Sequence, residues 1–277
     1  MTLQEFIKLA LAEDVGDGDH TSLSTIPADA QKRARLLVKQ DGVLAGVEVA
    51  EAVFREVDPD LQVHINIRDG SAIHYGDIVL TVSGRAQSIL KAERLVLNCM
   101  QRMSGIATHT RTMVSMLEGT KTRLLDTRKT TPNFRICEKM AVKIGGAINH
   151  RFGLFDMILI KDNHLDYAGG IEAAVTKAVL YLKTTGRTLP IEVEVRNQKE
   201  VEEVLRIGQI DRMLLDNFAP AELKRMVELI GGRIVTEASG GINETNLRDY
   251  ADSGVDYISS GALTHQVKSL DMSLKAY

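Results

Sequence analysis

The feature that most constrains this fold is a regular alternation of short apolar segments and amphipathic segments after residue 120. Candidate strands lie at 122–126, 156–161, 190–195, 211–215, 233–237 and 255–259, with helical patterns between them that include 169–183, 197–207, 219–230 and 243–252. A strand followed by a helix, six times over, predicts parallel βαβ units. Such units form either a doubly wound sheet or a (β/α) barrel, and the residues at the strand ends must distinguish the two.

The first third of the chain has a mixed pattern. Thr2 and Glu5 have capping-box spacing ahead of a helix that we expect to end near Asp14. Strands are predicted at 33–39, 61–67 and 77–83, a helix at 47–57, and a long helical stretch at 85–117 with an interruption at Ser104–Gly105. The aspartates within 14–19 lack the ligand spacing of an EF-hand, so a turn is favoured over a calcium site. We predict a small α/β domain whose helices lead into the alternating region.

Length and charge exclude several classes of protein. A chain of 277 residues has room for one barrel of ~200–250 residues or for two units, and we expect two. The formal net charge of -3 gives no bulk attraction to nucleic acid or to an acidic membrane. No apolar stretch approaches the ~18 residues of a membrane span, and the N-terminus lacks signal-peptide features. Cys99 and Cys137 are outside any CxxC motif, which favours a reducing cytoplasm and no chemical role.

Polar residues stand at nearly every predicted carboxyl end of a strand. They are Asp126, Arg128, Lys129, Lys161, Asp162, Glu194, Asp216, Glu237, Ser239, Ser259 and Ser260. A doubly wound sheet needs such residues only beside its switch point, whereas a barrel enzyme builds its site on this whole face. The strand ends therefore favour a barrel.

Two late strand ends have the composition of phosphate-binding loops. Ser239, Gly240 and Gly241 precede the helical pattern at 243–252, and Ser260 and Gly261 follow the last strand. Glycine lets the backbone approach an oxyanion, and a helix N-terminus adds N–H donors. Barrels often bind phosphate after their final two strands, so phosphate binding is favoured over ordinary turns.

The region from 121 to 161 is strongly cationic, with nine basic and three acidic residues and a net charge of +6. We assign Lys139 and Lys143 to the solvated face of a helix at 134–144. Lys161, by contrast, closes an apolar run that we expect inside the barrel, where a lysine needs an anionic partner or a lowered pKa. Several cations that face one cavity imply a ligand with several negative charges.

The acidic counterpart of these cations is Glu192, Glu194 and Asp216. The two glutamates are two residues apart in one strand, so their side chains share a face, which we expect to be the inward one. Inward carboxylates among phosphate loops and cations favour Mg2+, which binds carboxylate oxygens and substrate phosphates. A Glu–Lys pair in the barrel floor is the alternative interpretation.

Seven ordered motifs resemble those of one enzyme family. They are DTRKTTP at 126–132, NHR at 149–151, IKDNH at 160–164, EVE at 192–194, LDN at 215–217, SGGI at 239–242 and GALTH at 261–265. With EDVGDGD at 13–19 and AER at 92–94, they make essentially the whole chain similar to quinolinate phosphoribosyltransferases, the carboxylating nicotinate-nucleotide pyrophosphorylases of NAD biosynthesis.

The resemblance implies a fold and an assembly. The fold is an N-terminal α/β sandwich domain at 1–105, an incomplete (β/α) barrel at 106–265, and a tail at 266–277 that returns to the first domain. Members of the family are homodimers or larger homo-oligomers, in which the neighbour's N-terminal domain caps each barrel mouth. Arg94 would act across that interface.

The resemblance also implies a reaction: transfer of a phosphoribosyl group from phosphoribosyl pyrophosphate (PRPP) to quinolinate, with decarboxylation, to give nicotinate mononucleotide, pyrophosphate and CO2. The quinolinate carboxylates would be held by Arg128, His150, Arg151 and Lys161, with Thr127 in the same loop and Arg94 from the partner chain. Lys129, Glu194 and Asp216 would serve PRPP and its Mg2+, and Ser239, Gly240, Gly241, Ser260 and Gly261 the ribose phosphate. Lys129, Lys161, Glu194 and Asp216 would be the catalytic residues.

Three other interpretations remain open at this point. Lys161 could form a Schiff base in an aldolase-like barrel. The chain could be the paralogue linked to molybdate transport, although that protein usually departs from the intact IKDNH motif. It could also be a non-catalytic protein with an inherited barrel.

Two residues depart from the family pattern. Asn133 stands where a glycine is common, and asparagine tolerates the left-handed conformation better than most residues. Ala147 replaces the usual third glycine before NHR, and a positive φ there would strain the backbone near His150.

Overall fold

The computed structural model describes residues 1–277 and contains eleven helices and twelve strands. The helices are α1 (Leu3–Val15), α2 (His20–Thr25), α3 (Val47–Val57), α4 (Ala86–Ser115), α5 (Arg135–Gly145), α6 (Asp162–Ala168), α7 (Ile171–Thr185), α8 (Gln198–Ile207), α9 (Pro220–Ile230), α10 (Leu247–Ala251) and α11 (Ala262–His265). The strands are β1 (Gln31–Val38), β2 (Gly42–Val43), β3 (Gln62–Ile65), β4 (Ala72–Ile73), β5 (Ile78–Arg85), β6 (Arg123–Leu125), β7 (Ile158–Ile160), β8 (Ile191–Val195), β9 (Arg212–Asp216), β10 (Val235–Ser239), β11 (Tyr257–Ser259) and β12 (Met272–Ala276).

The first of two compact units is built on an antiparallel sheet. It comprises residues 1–112, 129–146 and 263–277. Its sheet has the order β12-β1-β5-β3, and the last strand of the chain pairs with the first, Ala34 opposite Ala276. One face of β1 is buried, with Leu36 and Val38 fully inaccessible, and Phe54 of α3 and Met100 of α4 belong to the same core. This unit has few aromatic side chains, so aliphatic residues and methionine fill the core.

The second unit, residues 113–128 and 147–262, contains a parallel sheet of six strands in the order β7-β8-β9-β10-β11-β6. Each strand from β7 to β10 pairs with the next in the chain, and β11 pairs with β6. A doubly wound sheet would reverse its order at a switch point, and this sheet does not. Only an isolated bridge between Leu125 and Ile148 lies in the gap between β6 and β7. The unit is therefore an incomplete (β/α) barrel.

The predicted fold class is confirmed, with an N-terminal antiparallel α/β region and a C-terminal parallel one. Two details of the prediction are wrong. Helix α4 continues through Ser104 and Gly105 without interruption, and a glycine is needed there because a side chain would collide with the Lys268 carbonyl group. Helix α10 has five residues, Leu247–Ala251, and not the ten predicted from 243 to 252. The division at 105 and 265 stays a prediction.

The backbone conformation accommodates both departures from the family pattern. Asn133 adopts a φ of 63°, the left-handed conformation that asparagine tolerates. Ala147 does not have a positive φ, so a glycine at that position is not needed for backbone geometry.

Cys99 and Cys137 are both buried and free, and burial raises the pKa of the Cys99 thiol to about 12. No helix is long and apolar enough to cross a bilayer.

Candidate active site

The loop that follows β6 is fixed to the barrel by a buried aspartate. Asp126 is fully inaccessible and accepts hydrogen bonds from Asn149 Nδ2 and from the His150 backbone N–H, both at 2.7 Å. Farther along the chain, Asp156 accepts the N–H groups of Phe152 and Gly153 at 2.6 and 2.9 Å. A carboxylate that receives two N–H donors holds a loop firmly. The segment carrying His150 and Arg151 is thus set in place before any ligand binds.

The His150 side chain is buried against two acids from other strands. Its Nε2 lies 3.1 Å from Glu192 Oε2 and 3.4 Å from Glu237 Oε2, and both glutamates are fully inaccessible. Arg212 NH1 pairs with Glu237 Oε2 at 2.8 Å. We call His150, Glu192, Glu237 and Arg212 the histidine cluster.

Burial and charge act in opposite directions on the histidine cluster. Burial lowers the pKa of His150, whereas the contacts with Glu192 and Glu237 raise it. Burial and the nearby Glu237 charge raise the pKa of Glu192 above its ordinary value. The His150 Nδ1 accepts the Arg151 backbone N–H at 2.7 Å, which requires a lone pair on that atom and therefore a neutral ring with its proton on Nε2.

Arg128 and Arg151 place two guanidinium groups close enough to affect each other. Both side chains are partly buried. Burial lowers the pKa of Arg151, the positive charge of Arg128 lowers it further, and the charge of Glu192 acts against both. Neighbouring guanidinium groups are a favourable site for a carboxylate or phosphate, which each can grip with two hydrogen bonds.

The exposure of the Lys161 side chain differs from the predicted one. The sequence predicts the lysine inside the barrel, but its side chain is about half exposed, at 49%. Its Nζ lies 3.1 Å from Oε2 of the buried Glu194, which also accepts the Asp162 N–H at 3.4 Å. This ion pair is the alternative to metal binding that the sequence left open. A Schiff-base lysine needs desolvated surroundings, so a half-exposed lysine beside a carboxylate disfavours that interpretation.

Asp216, at the end of β9, is oriented by two side chains. Its Oδ1 accepts the Ser239 hydroxyl at 2.5 Å, and its Oδ2 accepts Asn217 Nδ2 at 2.6 Å. Asn217 adopts a positive φ of 58° and its side chain lies against Gly240, where an added Cβ would be 2.7 Å from Asn217 Cγ. Gly240 itself has a φ of 100°. A glycine is therefore required at 240 for both space and conformation.

Two glycine loops, 239–241 at the end of β10 and 260–261 after β11, lie next to each other. The buried Ser260 hydroxyl donates to the Ile242 carbonyl at 2.6 Å, which links the loop after β11 to the loop after β10. The predicted helix does not begin directly after Gly241, since Asn243 and Asn246 form a turn ahead of the short α10. Any anion at these loops would thus be held by loop N–H groups and not by a long helix dipole.

The remaining predicted site residues divide between the two units, with Thr127 and Gly261 in the second. Arg94 is exposed on α4 and Lys129 is exposed in the chain after Arg128, and both belong to the first unit. Thr127 and Gly261 are partly buried. The assignment of Lys139 to a solvated helix face is wrong: it is 2% exposed, whereas Lys143 is exposed as predicted.

Sequence reasoning missed the roles of four residues that shape the site. Glu237 is identifiable only as a polar strand end, and Asp126, Asn149 and Asn217 only as parts of motifs. Glu237 has a visible signal, since a carboxylate within a strand that is expected to be buried needs a buried partner. The partner itself lies 87 positions away in the chain and depends on strand register.

The strand ends of this parallel barrel carry two guanidinium groups, a lysine–glutamate pair and two glycine loops. This combination is typical of an enzyme that acts on small molecules with several negative charges. Models of two domains match nearly the whole chain. The N-terminal domain of quinolinate phosphoribosyl transferase matches residues 19–104, and its C-terminal domain matches residues 106–275. The chain belongs to the quinolinate phosphoribosyltransferase family.

Individual relatives agree with this assignment. The chain is 48% identical over 288 aligned residues to a chloroplastic nicotinate-nucleotide pyrophosphorylase (carboxylating) of Arabidopsis thaliana, covering 99% of this chain and 82% of the relative. It is 40% identical to a probable enzyme of the same name from Bacillus subtilis, covering 99% and 93%. The crystal structure of NadC from Streptococcus pyogenes is similar with a TM-score of 0.92 at 38% identity, covering 99% of this chain and 95% of that one.

Proposed function

We propose that this chain transfers the phosphoribosyl group of PRPP to quinolinate, with loss of CO2, and so forms nicotinate mononucleotide and pyrophosphate in NAD biosynthesis. The observation that carries the proposal is the pairing of Arg128 with Arg151 at the strand ends of a barrel whose whole chain belongs to the family. Quinolinate has two adjacent carboxylates, and two neighbouring guanidinium groups match that charge and shape.

The substrate-binding roles follow the position of each charge. Arg128, Arg151 and Lys161 serve the two carboxylates, with His150 next to Arg151, Thr127 in the same loop as Arg128, and Arg94 from a partner chain. Lys129 serves the pyrophosphate of PRPP. The ribose phosphate is bound by the two glycine loops, through Ser239, Gly240, Gly241, Ser260 and Gly261.

The residues proposed for Mg2+, Glu194 and Asp216, fit that ion in chemistry. Both offer carboxylate oxygens, at the ends of the paired strands β8 and β9, and such oxygens are the ligands Mg2+ prefers. Ser239 and Asn217 orient the Asp216 carboxylate from the side, which fixes its direction as supporting hydrogen bonds do in metal sites. When bound, Mg2+ neutralises charge on the phosphates.

The chain's own residues contribute mainly position and charge. Arg128 and Arg151 orient quinolinate so that its ring nitrogen faces C1 of the ribose. As the C1–O bond to pyrophosphate breaks, Lys129 balances the negative charge that develops on the leaving group. The ring nitrogen then carries positive charge, and this charge stabilises the electron pair left at C2 when CO2 departs. Protonation of C2 then gives the product.

The proposal includes an assembly and a location. A homodimer or larger homo-oligomer supplies Arg94 across an interface, which agrees with the exposure of Arg94 on α4. We place the enzyme in the cytoplasm, as its two free cysteines suggest. The Arabidopsis relative is described as chloroplastic.

The direct test is incubation of the purified protein with quinolinate, PRPP and Mg2+. We expect equimolar nicotinate mononucleotide and CO2, measured by chromatography and by release of label from the carboxyl group. Absence of both products would refute the proposal. Borohydride trapping of a carbonyl substrate on Lys161 would instead support an aldolase.

A further inference from the structure

The histidine cluster is not explained by substrate binding alone. His150 comes from the loop after β6, Glu192 from β8, Arg212 from β9 and Glu237 from β10, so four separate segments converge on it. The side chains of Glu192 and Glu237 are fully inaccessible, and that of His150 is 6% exposed. Burying ionisable groups this completely is costly unless their charges are balanced.

The two buried acids of the histidine cluster have few partners. They face only Arg212 and the His150 Nε2 among the charged or titratable groups of the cluster, and Glu192 Oε1 and Glu237 Oε1 accept no hydrogen bond. A buried carboxylate with so few donors is costly, so the His150 ring is held firmly in the position in which Nε2 faces both acids.

The geometry speaks against a metal ion as the balancing charge, although the three ligand atoms lie within 4.8 Å of one another. Arg212 already occupies the Glu237 Oε2 atom that a metal would use. A metal-bound histidine also donates its other ring N–H, whereas His150 Nδ1 receives an N–H from the backbone of Arg151. A divalent ion would leave the buried group with excess positive charge.

The same ring connects the acids to Arg151. Its Nε2 faces Glu192 and Glu237, and its Nδ1 receives the Arg151 N–H at 2.7 Å. Both ring nitrogens are thus in contact with protein groups. Arg151 needs such support, because its guanidinium is partly buried and repelled by Arg128.

We propose that Glu192 and Glu237 are positioning residues that act through His150: they fix its ring so that Nδ1 holds the Arg151 backbone, and thereby keep Arg151 beside Arg128 for the substrate carboxylates. This inference rests on the proposed function, since it assumes that Arg151 binds quinolinate. It differs from the expectation that His150 contacts a carboxylate directly, because in this arrangement the ring is engaged on both sides by the protein.

The test uses Glu237→Gln and calorimetric binding of quinolinate without PRPP, so that no turnover is required. A displacement of Arg151 should weaken binding by roughly 10- to 100-fold. In an Arg151→Lys background the same substitution should cost less than about threefold, because the residue through which Glu237 acts is already altered. Equal losses in both backgrounds, or no loss in either, would overturn the inference.

Two further variants keep the test decisive. Should Glu237→Gln fail to fold, His150→Asn serves instead: its amide oxygen can still accept the Arg151 N–H, but it cannot reach the acids, and we expect the same loss of affinity. Asp256→Asn is the matched control, a partly buried acid next to β10 that pairs with Lys121, and it should leave quinolinate binding unchanged. A comparable loss in this control would show a general structural effect and refute a positioning role.

The outcomes also separate this inference from the proposed function. A wild-type protein that binds no quinolinate and forms no nicotinate mononucleotide refutes the proposed function. A wild-type protein that does both, with quinolinate affinity unaltered in Glu237→Gln and His150→Asn, refutes the positioning role alone.

Discussion

Lys161 Nζ lies 3.1 Å from Glu194 Oε2, which joins the residue after strand β7 to a buried acid of the neighbouring strand β8. Under the proposed function these two residues serve different substrates, Lys161 the quinolinate carboxylates and Glu194 the Mg2+ of PRPP. In the absence of ligands, the positive charge of Lys161 and the negative charge of Glu194 therefore compensate each other.

We therefore expect Lys161→Ala and Glu194→Gln to be non-additive. Each should lower kcat/KM by roughly 100-fold or more, since each removes a charge aimed at the reacting groups. The double variant should lose less than the product of the two, because either change already breaks the pair. Steady-state kinetics of the three variants measures this. Arg206→Ala, which breaks an exposed ion pair with Glu172, is the control and should keep wild-type kinetics.

Stability should fall as pH rises above 4.5, the ordinary pKa of a glutamate. Burial and the charge of Glu237 raise the pKa of Glu192 in the folded protein, which therefore binds this proton more tightly than the unfolded chain does; the stabilisation is complete below 4.5 and is lost as pH passes the raised pKa. Chemical unfolding at several pH values measures the slope.

Glu192→Gln should flatten this pH dependence, because it removes the group whose proton is linked to folding. Asp256→Asn should keep the wild-type slope above pH 4.5, because the pKa of Asp256 is lowered from its ordinary 3.8 and this group is ionised throughout that interval. An unchanged slope in Glu192→Gln would contradict the charge assignment of the histidine cluster.

Gly240→Ala should damage both the backbone and the site. The φ of 100° disfavours any side chain by roughly 1–3 kcal/mol, and the added methyl group would press on Asn217, which orients Asp216. We expect a lower melting temperature and a raised KM for PRPP with a smaller change in KM for quinolinate. Gly232→Ala, with a φ of 73° and open space around it, is the matched control for backbone strain and should change only stability.

Mixed oligomers test the shared site. Arg94→Ala and Lys161→Ala chains should each be inactive, but if Arg94 acts in a neighbouring chain, exchange of subunits should create some sites with both native residues. We expect activity to return on mixing. Verified mixed oligomers without recovered activity would count against action of Arg94 across an interface.

Substrate selectivity tests the cation pair. Nicotinate lacks the carboxylate beside the ring nitrogen, so Arg128 and Arg151 would be left partly unpaired in a buried site. The protein should use quinolinate at least about 100-fold better in kcat/KM. Comparable turnover of the two acids in a competition assay would argue against this role of the arginines.

Much of the fold is predictable because its signals are local. Helix α3 occupies the predicted range 47–57, and all six barrel strands overlap their predicted ranges, since apolar periodicity and strand length are properties of neighbouring residues. The strand ends are also informative, because parallel strands place their carboxyl ends on one edge of a sheet. Charged residues at those ends are enough to predict Lys161, Glu194 and Asp216 as candidate site residues.

The remainder depends on contacts between distant segments. Gly105 predicts a helix break from its own propensity, yet the close approach of Lys268 is what requires a glycine there. Lys139 is charged and helical, which predicts exposure, but it is buried in the folded chain. The link from His150 to Glu237 depends on the register of β6, β8 and β10, which no single segment encodes.

The pairing of β12 with β1 has a consequence for how the protein is made. Strand β12 follows all the barrel strands in chain order, and the ring of Tyr277, next to its end, lies over the guanidinium groups of Arg33 and Arg35 at 4.9 and 5.5 Å. The first sheet therefore lacks an edge strand until β12 has been translated. A nascent chain exposes the unpaired side of β1 throughout synthesis of the barrel, and such an edge is a natural target for chaperones.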